Sequence, residues 1–386
     1  MSDKVTIGIV GCGGMAGAHV KGFKELYDKG LDAFEITACC DLEESRASEM
    51  ADSIAEWQTH RPAVYADAEA MVSTEQGMVA VDICTTHREH HTIAVPALEA
   101  GKHVTIEKPL ALTMRAGRLI LDAAEQAGKL LQVAENYRRS PENRALNWAL
   151  KSGRIGQPRM VFWLEIRERL WYWAWREHRD QAGGGWPLDG GVHFADLFRY
   201  HIGPVRDVYC ETRAYQPLRY QDAENMEGPI EVDVEDTIVA TLRFDDDVLG
   251  QWTSTSAAPG CDHHHRVVYG ENGALVWGQG LKTREQELTT EQLCKEFMGQ
   301  LSEDEKERLF PRGVTNGVAT ELWEFVQAVR GEGDIETDGL EGYRAEAICM
   351  ALYESAAAGG PVSVADVEDL KLEAYQQDLN EGLGLT

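Results

Sequence analysis

The first third of the chain alternates short apolar runs with stretches of helical period, and each pair predicts one β-α unit. Val5-Thr-Ile-Gly-Ile-Val10 is a strand-like run, followed by glycines and a helical pattern through Leu26. Further strands are predicted at 34–40, 79–84, 103–106 and 130–134, with helices at 43–58, 90–100 and 115–127 between them. Gly101 and Gly128 close the last two helices. Uninterrupted apolar strands separated by helices argue for a parallel sheet covered on both faces, a doubly wound α/β arrangement.

After Asn136 the rhythm changes. A helix is predicted at 142–152, then strands at 160–166, 205–215, 237–244, 248–254, 266–269 and 274–277. Asp245-Asp-Asp-Val248 lies between two of these runs and reads as a hairpin turn. Helical patterns return at 321–330 and 343–357, with no internal repeat or low-complexity linker. The change of rhythm places the boundary near Ser140-Pro141 and predicts two domains, 1–135 and 136–386. A length of 386 residues agrees, at ~150 residues per domain.

Composition narrows the partners. Lys and Arg number 37 against 65 Asp and Glu, a formal charge of −28, on a chain that is 43% hydrophobic. Such a folded, acidic surface disfavours nucleic acid and anionic membranes, whose affinity comes from cationic side chains. No run approaches the ~18 apolar residues of a membrane span. Met1-Ser-Asp-Lys4 enters the first strand without a basic or apolar leader, so a cytoplasmic protein is expected. The eight cysteines contain no C-x-x-C pair and several lie in apolar strands. Reduced, buried thiols are expected, and no metal, since clustered ligand spacing is missing.

Gly11-Cys12-Gly13-Gly14-Met15-Ala16-Gly17 follows the first strand and opens the first helix, the context of a dinucleotide fingerprint. Gly11 permits the tight turn, Gly13 lets the backbone approach a pyrophosphate, and Ala16 allows close helix–strand packing. The phosphates then meet free N–H groups at the positive end of the helix dipole. Asp41, at the end of the second strand, is placed to accept from ribose hydroxyls and to repel a 2′-phosphate. Glu43 and Glu44 follow, with no basic residue before Arg46, so NAD is expected over NADP. A bare helix-capping role for Asp41 is the competing reading.

Three further segments fall in order: Thr85-Thr86-His87-Arg-Glu-His90, Glu107-Lys108-Pro109, and Gly183-Gly-Gly-Trp-Pro-Leu-Asp189-Gly-Gly-Val-His193. With the glycine loop they resemble the Gfo/Idh/MocA oxidoreductase family. Asp338-Gly-Leu-Glu-Gly-Tyr-Arg344 resembles a late family segment, so the likeness spans roughly residues 5 to 365. It departs at Thr86, where the family usually has Pro, and in the tail after Val364.

The resemblance implies an N-terminal Rossmann domain and a C-terminal α/β domain with a large, mostly antiparallel sheet. It implies homodimers or homotetramers formed through that sheet. The implied activity is oxidation or reduction of a secondary alcohol on a small carbohydrate, inositol or polyol with a nicotinamide cofactor. The family's catalytic lysine, aspartate and histidine fall on Lys108, Asp189 and His193. Thr85, Thr86, His90, Glu107, Lys108 and Asn136 are the remaining residues expected at the cofactor. A glycoside hydrolase using NAD for transient oxidation, and a ligand sensor without catalysis, are the alternatives.

These residue types suit the chemistry. An imidazole, with a pKa near ~6.5, accepts a hydroxyl proton near neutral pH, and that role is expected of His193. Asp189, four residues earlier, orients it or binds a neighbouring hydroxyl. Lys108 stabilises negative charge on the reacting oxygen. Trp171, Trp173 and Trp175 precede the glycine triplet; Trp175 is expected to line the substrate, although core or interface packing uses the same residues. Trp163 carries the same ambiguity. His263-His-His265 is not expected to bind metal, because adjacent strand residues face opposite ways. Arg138, Arg139, Arg167 and Arg169 could meet an acidic substrate or simply pair with acids.

Overall fold

The computed structural model describes residues 4–385, so the expected leaderless start at Met1–Asp3 lies outside the described residues. Six strands form the first sheet: β1 Val5–Val10, β2 Phe34–Cys40, β3 Ala63–Tyr65, β4 Ala80–Ile83, β5 His103–Glu107 and β6 Leu131–Ala134. They run parallel in the order β3-β2-β1-β4-β5-β6. That order reverses between β1 and β4, the crevice where doubly wound sheets bind their ligands. β3, three residues long and followed by the helix Ala68–Thr74, escaped the sequence reading because so short a run has no resolvable period.

The helix Gly14–Asp28 buries Ala16, Val20, Phe23 and Leu26 in a core that includes Ile7, Ile9 and Phe34. The chain divides by compactness into a unit running up to Arg139 together with Glu303–Tyr343, and a unit of Ser140–Ser302 with the residues from Arg344 onward. Compactness thus groups 303–343 with the N-terminal residues, where the sequence pattern led to the expectation of one uninterrupted domain over 136–386. The helix Gly317–Val329 carries Ala319, Leu322, Phe325 and Val326 on one stripe, and these join the core around Phe23. Gly22 permits the approach, since a Cβ there would stand 3.2 Å from Leu322. A strongly apolar helix needs a buried partner, and this one finds it on the first sheet's own helix.

The second unit is built on β7 Pro158–Ile166, β8 Val205–Arg213, β9 Leu218–Asp222, β10 Glu227–Glu231, β11 Thr237–Phe244, β12 Leu249–Thr255, β13 His263–Gly270, β14 Gly273–Val276, β15 Gly280–Thr283, β16 Glu287–Leu288 and β17 Val362–Ser363. Nine of these form one sheet, β16-β15-β14-β13-β7-β12-β11-β8-β17, and β9 and β10 form a separate hairpin. Within the large sheet only β7 and β12 run parallel. Asp245–Asp247 makes the expected turn, closed by Phe244 N–H donating to the Val248 carbonyl with Asp247 at φ +58°.

One face of the large sheet is covered by the helix Val192–His201. Phe194 and Phe198 pack on Trp163 at 5.0 and 5.2 Å between ring centroids, and Phe198 on Trp252 at 5.5 Å. Trp163 is thus a core residue. The other face leaves Met160, Tyr209, Val239, Leu249 and Tyr269 more than a third exposed. Among the described residues no helix is long and apolar enough to cross a membrane. Cys12, Cys39, Cys40, Cys84, Cys210 and Cys349 are buried free thiols, whereas Cys261 is exposed and Cys294 half-buried.

Candidate active site

The glycine loop sits where β1 meets its helix. Gly11 takes φ +85°, and a Cβ there would lie 2.7 Å from the Cys84 carbonyl oxygen, so only glycine fits. Gly13 and Gly14 are exposed, and a Cβ on either meets nothing within 4 Å. No side chain caps the helix beginning at Gly14, and no acid stands in its first turn. Helix-start N–H groups without a side-chain cap suit an anion, which is the donor set a dinucleotide pyrophosphate requires. Met15 is half-buried and Ala16 fully buried beside this loop.

Asp41 is held from two sides. Its Oδ2 accepts from the Cys12 N–H at 2.8 Å and its Oδ1 from the Glu43 N–H at 2.9 Å. The carboxylate therefore braces the glycine loop and is not the N-cap of the following helix, a position that Glu43 occupies. Leu42 beside it is 91% exposed.

The Glu107-Lys108-Pro109 turn leaves the end of β5, with Lys108 half-buried and the Lys108–Pro109 peptide bond cis. His90, fully buried at the start of the helix His90–Glu99, supports the turn: its Nδ1 donates to the Pro109 carbonyl at 3.0 Å. Burial, and then the neighbouring His87, hold the His90 imidazole down to about 3, so it is neutral. Its Nε2 is buried with no protein partner. Thr85 and Thr86, at the end of β4, and Asn136, beyond β6, are half-buried.

Behind the turn lies a cluster that sequence reasoning missed. His19 Nδ1 stands 2.9 Å from Asp82 Oδ2, and Nε2 stands 3.0 Å from Glu107 Oε1. Glu107 Oε2 in turn accepts the Lys108 N–H at 3.2 Å. Cys84 Sγ lies 3.6 Å from His19 Nδ1, so His19, Asp82 and Cys84 place three ligand-type atoms within 4.8 Å of one another. Residues 19, 82 and 84 are distant in sequence and meet only in the fold, so spacing along the chain does not show them. An imidazole facing a carboxylate at each nitrogen donates from both, and an imidazolium offers a cation no lone pair.

Asp189 and His193 occupy one segment of the second unit. The short helix Trp186–Asp189 is followed by Gly190 and Gly191, both at right-handed helical angles, and then by the helix Val192–His201. The two side chains therefore stand about one turn apart, both buried, at 3% and 8% exposure. The glycines are required by packing: a Cβ on Gly191 would lie 2.2 Å from the Pro187 carbonyl oxygen. Arg176 Nε donates to Asp189 Oδ1 at 3.1 Å. Its guanidinium lies over the rings of Trp173 at 4.7 Å and Trp175 at 4.4 Å. Trp175, expected against substrate, is thus in contact with the cation that holds Asp189.

Ion pairing and stacking account for the arginines. Arg139 is buried and pairs with Glu324, Arg169 pairs with Glu177, Arg138 lies 3.8 Å from Glu336, and Arg167 lies over Trp186. Of the histidine run, His264 shares its sheet face with Arg266, which pairs with Glu165, whereas the rings of His263 and His265 stack on the opposite face.

Comparison with known proteins places this geometry. Residues 5–135 match the oxidoreductase family's NAD-binding Rossmann fold, and residues 148–364 its C-terminal alpha/beta domain. The chain belongs to the Gfo/Idh/MocA oxidoreductase family. It is 31% identical to 1,5-anhydro-D-fructose reductase of Ensifer adhaerens over 287 residues, which cover 72% of this chain and 78% of that one. It is 26% identical to levoglucosan dehydrogenase of Pseudarthrobacter phenanthrenivorans, over 74% and 80% of the two chains. A solved levoglucosan dehydrogenase with NADH and levoglucosan superposes with a TM-score of 0.76 at 22% identity, over 94% of this chain and 100% of that one.

Proposed function

We propose that the protein is an NAD-dependent dehydrogenase that oxidises a secondary alcohol of a sugar, inositol or related polyol, or runs the reverse reduction. The observation carrying this reading is the ion pair of half-buried Arg176 with buried Asp189, placed one helical turn before His193. The named relatives, a 1,5-anhydro-D-fructose reductase and a levoglucosan dehydrogenase, support the substrate class.

Gly11, Cys12, Gly13, Gly14, Met15 and Ala16 would hold the pyrophosphate at the helix start, and Asp41 the adenosine ribose. The position of Asp41 supports NAD over NADP, since a 2′-phosphate there would meet a carboxylate. Thr85, Thr86, His90, Glu107 and Asn136 are assigned to the surroundings of the nicotinamide, which supplies a hydride acceptor when bound. His193 takes the hydroxyl proton as the carbon–oxygen bond becomes a carbonyl. Lys108 donates to that oxygen and stabilises its developing charge. Asp189, oriented by Arg176, fixes the His193 ring or a neighbouring substrate hydroxyl, and Trp175 flanks the same substrate.

The outer face of the large sheet is assigned to association of two copies. Tyr269, Met160 and Leu249 lie side by side across β13, β7 and β12, an apolar row open to solvent. A Leu249→Arg variant is expected to run as a monomer in light scattering while the parent is a dimer or tetramer. The buried free thiols support a reducing compartment, the cytoplasm.

The test is NADH formation against sugars, anhydrosugars, inositols and glycosides. Turnover of at least one polyol is expected, reduced ~10²-fold or more in His193→Ala and Lys108→Ala with NAD binding retained. Full turnover by either folded variant, or tight NAD with no net NADH release, would sink the reading.

A further inference from the structure

Residues 365–386 follow the segment that matches the family's C-terminal domain, which ends at 364. Several of them are nevertheless buried, including Val367, Gln376, Leu379 and Asn380. Tyr375 is clasped between two partners. Its ring stacks on that of Tyr353 at 4.5 Å and 12°, and the Arg179 guanidinium lies 4.3 Å over it. Arg179 also binds both oxygens of Asp378, at 2.6 and 2.9 Å. Glu354 accepts the Tyr375 N–H at 3.1 Å and the Gln376 side-chain amide at 3.0 Å.

This clasp reaches the glycine triplet from two directions. The Tyr375 hydroxyl donates to the Gly183 carbonyl at 2.9 Å. The Tyr353 hydroxyl donates to Glu235 Oε1 at 2.7 Å, and both Glu235 oxygens accept the Gly185 N–H, at 3.0 and 3.1 Å. No side chain fits between: a Cβ on Gly184 would stand 2.4 Å from the Tyr353 hydroxyl, and one on Gly185 2.4 Å from the Glu235 carbonyl oxygen. Gly185 is the residue from which the helix carrying Asp189 starts.

We propose that the C-terminal segment 373–380 is a positioning element for Asp189 and His193, acting through Tyr375 on Gly183 and through Tyr353 and Glu235 on Gly185. It rests on the roles assigned above to those two residues. A tail residue that touches neither substrate nor cofactor thereby sets where the catalytic pair stands, and displacements of about 1 Å at reacting groups are felt strongly in rate. None of these ties involves the glycine loop, so cofactor affinity is expected to be independent of them.

The experiment compares the full chain with Tyr375→Ala and Tyr375→Phe by kcat, by NAD dissociation constant, and by amide hydrogen exchange over residues 183–193. Tyr375→Ala is expected to lower kcat about tenfold or more, to leave NAD affinity within about twofold, and to speed exchange across the segment. Tyr375→Phe keeps the stack and loses one hydrogen bond, so it should fall between. Unchanged exchange and kcat in Tyr375→Ala overturn the proposal. Loss of NAD binding in parallel with kcat overturns it too, because that marks general unfolding. If the parent turns over no polyol, the dehydrogenase reading fails, and exchange over 183–193 still decides whether the tail holds the triplet.

Discussion

Nε2 of His19 lies 3.0 Å from Oε1 of Glu107, a buried contact tying the dinucleotide-loop helix to the residue before Lys108. With Asp82 on the other ring nitrogen, one imidazolium neutralises part of two buried carboxylates. Removing one partner of such a network leaves charge buried without compensation, a loss of about 3–5 kcal/mol. His19→Ala should therefore lower the urea midpoint by a corresponding amount. Burial, the largest single influence, would push the His19 proton off; the charge and hydrogen bond of Asp82 together with Cys84 outweigh it and raise the group well above 6.5. Its stabilising contribution is fully present below about pH 6.5 and is lost as the pH rises through the raised folded value. The parent should lose stability on the alkaline side more steeply than His19→Ala does.

Glu235 has the opposite chemistry and the same sign. Burial raises its carboxyl from 4.5 to about 7, against the hydrogen bonds from Tyr353 and Gly185. The folded chain binds the proton more tightly than the unfolded one, so this stabilisation is complete below pH 4.5 and is lost as the pH rises through about 7. At about 1.4 kcal/mol per pH unit, a few kcal/mol are at stake. Glu235→Gln, which keeps an acceptor and carries no charge, should flatten the stability profile between pH 5 and 8. Thermal melts across that range check it.

Arg176 is placed to act through Asp189. Arg176→Ala leaves that buried carboxylate without its bidentate-capable partner, and a drop of ~10²-fold in kcat with unchanged NAD affinity is expected. Arg176→Lys keeps the charge but not the planar stack between Trp173 and Trp175, so it should restore only part of the rate. Steady-state kinetics beside a cofactor titration separate these outcomes.

Asp41 is expected to set cofactor choice. Asp41→Ser removes the carboxylate that a 2′-phosphate would meet, and the ratio of kcat/KM for NADP over NAD should rise about tenfold or more. The absolute affinity for NAD should fall as well, because Asp41 also holds the Cys12 N–H.

Gly11→Ala tests the tight turn directly. A positive φ of 85° and a contact of 2.7 Å to Cys84 oppose any side chain. Strain of about 1–3 kcal/mol is expected from the backbone alone, together with loss of NAD binding. A melt and a cofactor titration read the two effects.

Much of this was legible along the chain. The period of apolar positions specified the parallel sheet, because strands buried on both faces must be apolar throughout. The glycine loop, Asp41 and the motifs around Lys108, Asp189 and His193 are local, so they survive in a one-dimensional reading. Two signals went unused. His19 falls on the same helical stripe as Ala16, Val20 and Phe23, and Asp82 interrupts an otherwise apolar strand. A polar side chain on a buried stripe asks for a partner, but no spacing rule says which one.

The alternation of strands and helices in the first sheet, apart from β3 and the helix after it, the dinucleotide loop and the family were determined by the sequence alone, since each is written in local pattern or in short motifs. Tertiary structure decided what depends on distant segments. It returned 303–343 to the first unit, brought residues 19, 82, 84 and 107 together, and put Arg176 on Asp189. It also laid the tail's Tyr375 against Gly183. Those pairings are selected by the burial of charge and apolar surface across long loops, which local pattern does not encode.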